Sequence, residues 1–270
     1  GENIYRLTAT DLLGWQSDIE VTFKKDTIAP SITLAPEDGF RTASVSLAAD
    51  LSIVDEGTGV EVTMINFNGS PVETAQLANL QLQEGENSFA VTTTDKVGNS
   101  SQLSATWILD TQAPMLQIDT LETPTRATTV TLSGVASDTS GVAQVLVNGL
   151  EIVMDGSGVF QTELVLQQGS NRIEVVAIDS LGNQNSSVEV IEVDSLAPEI
   201  TVAAVPERTS NQQLLVTGTI QDASAVTLSL QGNPVVLESG AFTHTIALNE
   251  GHQTLLFSAT DSLGNSSTLS

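Results

Sequence analysis

The sequence predicts an all-β protein made of tandem repeats of about 84 residues. Three observations lead to this prediction. The aspartates that begin an Asp-x-x-Gly motif are spaced by 84, 84 and 82 residues: Asp11, Asp95, Asp179 and Asp261. A second motif, Asp-x-x-Ala-Pro, recurs in steps of 84 residues from the following aspartates: Asp26, Asp110 and Asp194. Apolar and polar residues alternate before each Asp-x-x-Gly motif, as they do in half-buried strands.

The Asp-x-x-Gly motif belongs to a longer repeated segment. Residues 85–99 recur as residues 169–183 and 251–265, and the same pattern opens the chain at residues 1–15. Asp at the first position and Gly at the fourth are favoured in a type I turn. Each segment therefore reads as a strand that runs into a tight turn, and the shared period of two independent motifs identifies a true repeat.

The strand before each turn is predicted to bury one face. Its alternate positions are apolar and their neighbours are mostly polar, which is the period of two that a strand with one face in a core shows. The predicted core positions are Tyr5, Leu7 and Ala9; Phe89 and Val91; Ile173, Val175 and Ala177; and Leu255, Phe257 and Ala259.

The other strand signals define the fold of one repeat. Asn68-Gly69 and Asn148-Gly149 are strong hairpin signals. Further strands are predicted over residues 129–135, 142–147, 160–166 and 187–193. A repeat then holds about seven short strands and no segment of helical period, which is typical of an immunoglobulin-like (Ig-like) β-sandwich. The fold class predicted is thus all-β, with tandem Ig-like β-sandwich repeats arranged as an extended rod.

The motif positions set the expected domain boundaries. Residues 1–30 supply the last two strands and the linker of a truncated Ig-like repeat. Residues 31–114 and 115–198 each form one Ig-like repeat. Residues 199–270 form a further repeat that lacks most of its last strand.

Composition excludes several classes of function. With 33 acidic and 8 basic residues the formal charge is −25, so binding to nucleic acid or directly to a membrane surface is not expected. The absence of cysteine excludes disulfides and thiolate metal sites. No apolar run reaches transmembrane length. An excess of carboxylates instead suits a protein that lives with divalent cations.

Strand order predicts where the aspartates meet. In an Ig-like sandwich the loop between the second and third strands (the B–C loop) lies at the same pole as the turn between the last two strands (the F–G turn). The linker aspartate reaches that pole from the preceding repeat. We therefore expect three carboxylates, from the linker, the B–C loop and the F–G turn, to converge at each junction: Asp26, Asp55 and Asp95; Asp110, Asp138 and Asp179; Asp194, Asp222 and Asp261.

Two interpretations of these trios stay open. Three bare carboxylates repel one another, and a Ca²⁺ ion with oxygen ligands would relieve that repulsion, so the trios are candidate Ca²⁺ sites. Alternatively, the F–G aspartate only accepts hydrogen bonds from its own turn. In that case the Ala-Pro pair stiffens the linker without any ion, because proline restricts the residue before it to extended conformations.

No catalytic constellation accompanies the repeats. The sequence has no nucleophile elbow, phosphate-binding loop or dinucleotide fingerprint, and neither His244 nor His252 lies in a zinc-binding motif. Trp107 aligns with Phe23 and Ile191 in the last strand and is expected to pack in the core or at its edge. Trp15 replaces the Asn that follows the turn glycine elsewhere; incidental packing is the favoured interpretation, and contact of a solvent-facing Trp with a neighbouring repeat or a ligand is the alternative. The sequence therefore indicates that the protein is not an enzyme.

The motifs resemble a known group of repeats. The turn 177–183 with Asp179 and Asn183, the linker 194–198 and the start Val147-Asn148-Gly149 are together similar to bacterial Ig-like repeats. Such repeats build giant surface adhesins and also occur as accessory modules of extracellular hydrolases. In the adhesins, Ca²⁺ held by linker and loop aspartates rigidifies the rod, and the resemblance implies that role for Asp26, Asp110 and Asp194 with their loop partners.

The favoured function is a non-catalytic stalk or adhesive rod segment of an extracellular or cell-surface bacterial protein. Its partners would be neighbouring repeats of the same chain, host or matrix surface ligands, or other copies in a filament. Two alternatives remain: accessory modules of a secreted carbohydrate-active enzyme, and a subunit of an extracellular filament or sheath.

Overall fold

The computed structural model describes residues 2–270, so Gly1, the first residue of the predicted segment 1–15, lies outside the described residues. The chain divides into two compact units. The first holds residues 1–112 with 181–183, and the second holds residues 113–180 and 184–270. Within the described residues, no helix has the length and apolar character needed to cross a membrane.

The first unit begins with a two-stranded hairpin. Strand β1 (Glu2–Thr10) pairs antiparallel with β2 (Gln16–Lys24), and Tyr5 lies opposite Val21 in the register. The turn between the strands begins at Asp11, whose Oδ1 accepts hydrogen bonds from the backbone N–H groups of Leu13 and Trp15, both at 2.9 Å. The predicted strand-and-turn pattern is therefore present here.

A β-sandwich follows in the first unit. Its elements are β3 (Ser31–Ala35), β4 (Arg41–Thr42), β5 (Ser46–Leu47), β6 (Asp50–Val54), β7 (Val60–Phe67), β8 (Ser70–Pro71), a 3₁₀ helix (Thr74–Asn79), β9 (Leu80–Gln81), β10 (Gly85–Asp95) and β11 (Ser100–Leu109). The larger sheet has the order β4-β11-β10-β7-β8, and the pairs β3-β6 and β5-β9 form the rest. The 3₁₀ helix was not predicted, because six residues are too few to show a helical period; it buries Leu77.

The second unit contains two sandwiches with the same topology. The first has β12 (Met115–Ile118), β13 (Thr129–Ser137), β14 (Val142–Val147), β15 (Leu150–Ile152), β16 (Val159–Val165), β17 (Gly169–Asp179) and β18 (Gln184–Val193). Its sheets have the orders β12-β13-β16 and β15-β14-β17-β18. A three-stranded sheet facing a four-stranded one is the strand arrangement of an Ig-like sandwich.

The last sandwich repeats this arrangement in strands β19 (Glu199–Val202), β20 (Gln213–Gln221), β21 (Val226–Leu230), β22 (Asn233–Val235), β23 (Ala241–Ala247), β24 (Phe257–Asp261) and β25 (Ser266–Leu269). The sheet orders are β19-β20-β23 and β22-β21-β24-β25. Its final strand has four residues, whereas β18 has ten.

Each sandwich has its own apolar core, and the alternate positions before the turns contribute to it. Phe89 and Val91, then Ile173, Val175 and Ala177, then Phe257 and Ala259 are buried as predicted. Trp107 is fully buried against Phe89, with ring centroids 5.1 Å apart, and its Nε1 donates to the carbonyl oxygen of Pro36. The core placement expected for Trp107 is confirmed.

The prediction of a buried face is wrong for the hairpin. Tyr5 and Leu7 are 60% and 63% exposed, although they occupy the same positions as Phe89 and Val91, and Ala9 is exposed as well. The alternation places them on one face of the hairpin, but among the described residues no second sheet covers that face. Leu255 lies before β24, which begins only at Phe257, but its half-buried side chain packs against the core of the last sandwich as predicted.

Candidate metal centres at the linker aspartates

The F–G turns of the first and last sandwiches are organised by the aspartate that ends the preceding strand. Asp95 Oδ1 accepts from the backbone N–H groups of Val97 (2.9 Å) and Asn99 (2.8 Å), and Oδ2 accepts from Asn99 Nδ2 at 2.7 Å. Asp261 has the same three bonds from Leu263 and Asn265. The local turn role considered for these aspartates is therefore present.

These bonds also keep the turn aspartates ionised. Burial raises the pKa of Asp95, but the hydrogen bonds from the side chain and backbone of Asn99 and from the backbone of Val97 and Gly98 outweigh it, so the pKa lies below its usual range. The same balance lowers the pKa of Asp261. Both buried groups are therefore carboxylates at neutral pH and offer negative charge to a cation.

The first trio comes together in the first unit. One carboxylate oxygen each from Asp26, Asp55 and Asp95 lies within 4.8 Å of the others. The Asp26 carboxylate accepts from the backbone of Ile28 (3.1 Å) through Oδ1 and from the backbone N (2.7 Å) and Oγ1 (3.1 Å) of Thr58 through Oδ2. Asp55 Oδ1 accepts from the backbone of the loop, whereas its Oδ2 is buried without a hydrogen-bond partner.

The last trio comes together in the second unit, with carboxylate oxygens of Asp194, Asp222 and Asp261 within 4.8 Å of one another. Asp194 is only 7% exposed. Its Oδ1 accepts from Gln168 Nε2 at 3.0 Å, and its Oδ2 is buried without a hydrogen-bond partner. Asp222 Oδ1 accepts from the backbone N and Oγ of Ser224.

The middle trio is divided between the units. Asp110 belongs to the first unit, where it is buried and its Oδ1 accepts from the backbone of Gln112 at 3.1 Å. Asp138 and Asp179 belong to the second, where Ser140 Oγ donates to Asp138 at 2.7 Å and reaches Asp179 Oδ2 at 3.3 Å. The convergence of all three at one site stays a prediction.

Like charges in the first trio act on one another. The pKa of Asp26 lies below its usual value, mainly because the backbone N–H of Ile28 donates a hydrogen bond to it. Burial raises this pKa, hydrogen bonds from Thr58 lower it further, and the negative charge of Asp95 raises it.

Two basic side chains contact carbonyl oxygens near the trios. Lys24 Nζ donates to Gly57 O at 2.6 Å, and an Arg126 nitrogen lies 3.5 Å from Gly264 O.

Sequence reasoning missed the role of the asparagine after each turn glycine. Asn265 Nδ2 donates both to Asp261 Oδ2 (2.7 Å) and to the carbonyl oxygen of Asp194 (2.8 Å). Asn99 makes the same two bonds to Asp95 and Asp26, the second at 3.4 Å. The signal was present in the repeated Asp-x-x-Gly-Asn pattern, but sequence spacing alone does not show that this side chain reaches the linker.

The tryptophan at the equivalent place in the hairpin behaves differently. Trp15 is 76% exposed. Its backbone N–H bonds to Asp11, whereas its indole ring has none of the bonds that Asn265 makes. Trp15 is therefore open to solvent, and a contact with a neighbouring repeat or a ligand stays a prediction.

The described fold is that of tandem Ig-like β-sandwich repeats, with carboxylates gathered at linkers. The chain belongs to the family described as glucodextranase, domain B, which matches residues 114–195 and 198–270. It is 33% identical over 128 residues to bacillopeptidase F of Bacillus subtilis (strain 168), covering 46% of this chain. That alignment spans 9% of the length of bacillopeptidase F.

Solved structures similar to the chain include a tetra-tandem repeat from the extending region of a large adhesion protein. It is 19% identical, with 99% of this chain and 80% of that one covered and a TM-score of 0.37. A second is a 1.5-MDa bacterial ice-binding adhesin, which is 17% identical, with 90% and 96% covered and a TM-score of 0.38.

Proposed function

We propose that the chain is a segment of a non-catalytic, extracellular bacterial stalk or adhesive rod, in which Ca²⁺ bound at the linker aspartates stiffens successive repeats. The observation that carries this proposal is the gathering of three carboxylates from a linker, a B–C loop and an F–G turn, seen for Asp26, Asp55 and Asp95 and again for Asp194, Asp222 and Asp261. A passive rod also accounts for the repetition and the net charge of −25.

The chemistry of the trios favours a hard cation. Every ligand candidate in them is a carboxylate oxygen, and Ca²⁺ accepts several carboxylates and carbonyls in irregular loops. Asp55 Oδ2 and Asp194 Oδ2 are buried without a hydrogen-bond partner, and a buried polar atom of this kind costs free energy unless something compensates it. A cation would supply that compensation.

An ion at these positions would act on the linker directly. In the second unit, Asn265 already ties the carbonyl of Asp194 to the F–G turn, and Ser267 Oγ donates to the carbonyl of Pro198. An ion shared by Asp194, Asp222 and Asp261 would join the linker to both loops of the following sandwich. We expect this to reduce bending between the two repeats of the second unit.

Calorimetry of the whole chain tests this function. After removal of divalent ions with a chelator, added CaCl₂ should release or absorb heat and raise the melting temperature, by a stabilisation of about 2.7 kcal/mol at a hundredfold excess over Kd. Asp222→Asn should reduce the effect. The matched control is Glu199→Gln, an exposed acid of the same sandwich, which should leave it unchanged. No heat and no chelator effect would reject Ca²⁺ stiffening.

A second candidate is favoured by the family. The family description refers to a domain of glucodextranase. We therefore keep open that these repeats are accessory modules of a secreted enzyme that acts on carbohydrate. A catalytic domain in the full-length reading frame would favour this function over an adhesive rod. Periodic lateral contacts in electron micrographs of the native source would instead favour a filament or sheath.

We further propose that residues 1–30 are the last two strands and linker of another Ig-like repeat. The hairpin has the turn, the register and the apolar face of β10–β11, yet Tyr5, Leu7 and Phe23 are exposed on it. The rings of Tyr5 and Phe23 stack with centroids 5.1 Å apart. This face is what a facing sheet would cover in a complete sandwich.

A further inference from the structure

We infer that the two acidic sites contained within single units are unequal: the Asp194 site needs a bound cation, whereas the Asp26 site is largely closed by hydrogen bonds from its own chain. This inference rests on the proposed Ca²⁺ function and adds which linker the ion controls. The difference originates in the B–C loop and in the partners of the linker carboxylate.

The B–C loop of the first sandwich is one residue longer than the other two. Four residues lie between Asp55 and Val60, whereas three lie between Asp222 and Val226 and between Asp138 and Val142. In the longer loop, both the backbone N–H and the hydroxyl of Thr58 donate to Asp26 Oδ2. Gly57 lies so close that a Cβ on it would be 1.8 Å from the same oxygen.

Both carboxylate oxygens of the linker aspartate at the first site therefore already accept hydrogen bonds. The backbone N–H of Ile28 donates to Asp26 Oδ1, and that of Thr58 donates to Oδ2. A cation entering here would compete with bonds that exist. Asp55 Oδ2 is still buried without a partner, so we expect the first site to bind weakly rather than not at all.

The last site lacks this internal closure. Ser224 donates only to Asp222, and the shorter loop sends no donor to the linker aspartate. Asp194 is only 7% exposed. Its Oδ1 accepts a hydrogen bond from Gln168 Nε2, and its Oδ2 accepts none from the described residues. A buried, unpaired carboxylate oxygen beside two further carboxylates is the arrangement that a cation stabilises most.

Neighbouring positive charge acts in the same direction as the hydrogen bonds. At the first site Lys24 Nζ donates to the carbonyl oxygen of Gly57, and Lys96 Nζ would lie 3.9 Å from a Cβ on Gly59 in the same B–C loop. At the last site an Arg126 nitrogen lies 3.5 Å from the carbonyl oxygen of Gly264. The acids are the same in kind, with one linker, one B–C and one F–G aspartate in each site. The inequality therefore comes from the hydrogen bonds to the linker carboxylate, together with the lysines beside the first B–C loop.

Hydrogen–deuterium exchange of the whole chain, read by mass spectrometry across a CaCl₂ titration, tests the inference because it reports each linker separately. We expect residues 194–198 and 222–225 to become protected at a Ca²⁺ concentration about tenfold lower than residues 26–30 and 55–59. Asp194→Asn should abolish the protection at the last site and leave the first unchanged. The matched variant Asp26→Asn should leave the last site unchanged.

A loop exchange gives a gain-of-function arm. Deleting Gly57 with Glu56→Thr and Thr58→Ser gives the first sandwich the loop sequence of residues 138–142. We expect protection at residues 26–30 to move to about tenfold lower Ca²⁺. Equal midpoints for the two linkers, or a loop exchange that shifts nothing, would overturn the inequality and leave Ca²⁺ stiffening standing. Absence of protection at both linkers would overturn the Ca²⁺ function together with it.

Discussion

The side-chain amide of Asn265 bridges a turn and a linker by donating to Asp194 O at 2.8 Å and to Asp261 Oδ2 at 2.7 Å. Asp194 and Asp261 are both buried, with 7% and 6% exposure, so water does not readily replace either bond. One asparagine thus holds the linker between the two repeats of the second unit against the F–G turn, before any ion is considered.

Replacing this asparagine should weaken the last sandwich. In Asn265→Ala, the carboxylate of Asp261 loses its side-chain donor and the carbonyl of Asp194 loses its partner, so we expect a loss of about 1–3 kcal/mol. Calorimetric melting of the chain measures it. Asn211→Ala is the control, since Asn211 is exposed and uses only its backbone N–H. Equal effects of the two substitutions would contradict the bridging role.

A glycine under the aromatic core of the second sandwich is expected to tolerate no side chain. A Cβ at Gly134 would lie 2.4 Å from Gln117 O and 2.7 Å from Phe160 Cζ. Gly134→Ala should therefore destabilise by about 1–3 kcal/mol, because β12 or Phe160 must shift. Gly156→Ala, where a Cβ meets nothing within 4 Å, is the control in urea unfolding followed by circular dichroism. If Gly134→Ala leaves the free energy of unfolding unchanged, the strands shift to accept the Cβ without loss of stability.

The apolar face of the hairpin should drive self-association of this chain. Leu7→Thr combined with Val21→Thr removes apolar surface from the face that carries Tyr5. We therefore expect a smaller fraction of dimers and of larger oligomers in sedimentation velocity. Ile4→Thr removes a similar exposed side chain from the opposite face and serves as the control. If the double variant associates as the parent chain does, the face does not mediate contacts.

Acid should remove one turn's contribution to stability. Hydrogen bonds from the Ser157 side chain, the Ser157 backbone and Val159 lower the pKa of Asp155 below 3.8. A lowered folded-state pKa means that the contribution is complete above 3.8 and is lost as the pH falls through the lower folded value.

The variant Asp155→Asn keeps an oxygen acceptor but does not titrate. We expect its urea midpoint to be lower than that of the parent chain at neutral pH, and this difference to shrink as the pH falls below 3.8. Parallel curves across that range would rule out the carboxylate as the source.

Much of the fold could be predicted because its signals are local. Val145, Phe160 and Ile173 lie in strands whose alternation is visible in the sequence, and all three are buried. Strand order predicted that linker aspartates lie beside the loops of the next sandwich, and Asp26 meets Asp55 and Asp95, as Asp194 meets Asp222 and Asp261. The hairpin shows the limit, since Leu7 has the pattern of a core residue and no layer to pack against.

The sequence by itself determined the repeat, the strand faces, the turns and the three carboxylates expected at each junction, because these follow from periodicity and strand order. Only the tertiary structure decided which carboxylate oxygens have partners. Thr58 donates a hydrogen bond to Asp26 Oδ2, and Asn265 donates one to the carbonyl oxygen of Asp194. Asp194 Oδ2 is buried without a donor. These differences depend on where one-residue changes in loop length carry individual N–H and O–H groups, which is a matter of distances in space and not of spacing along the chain.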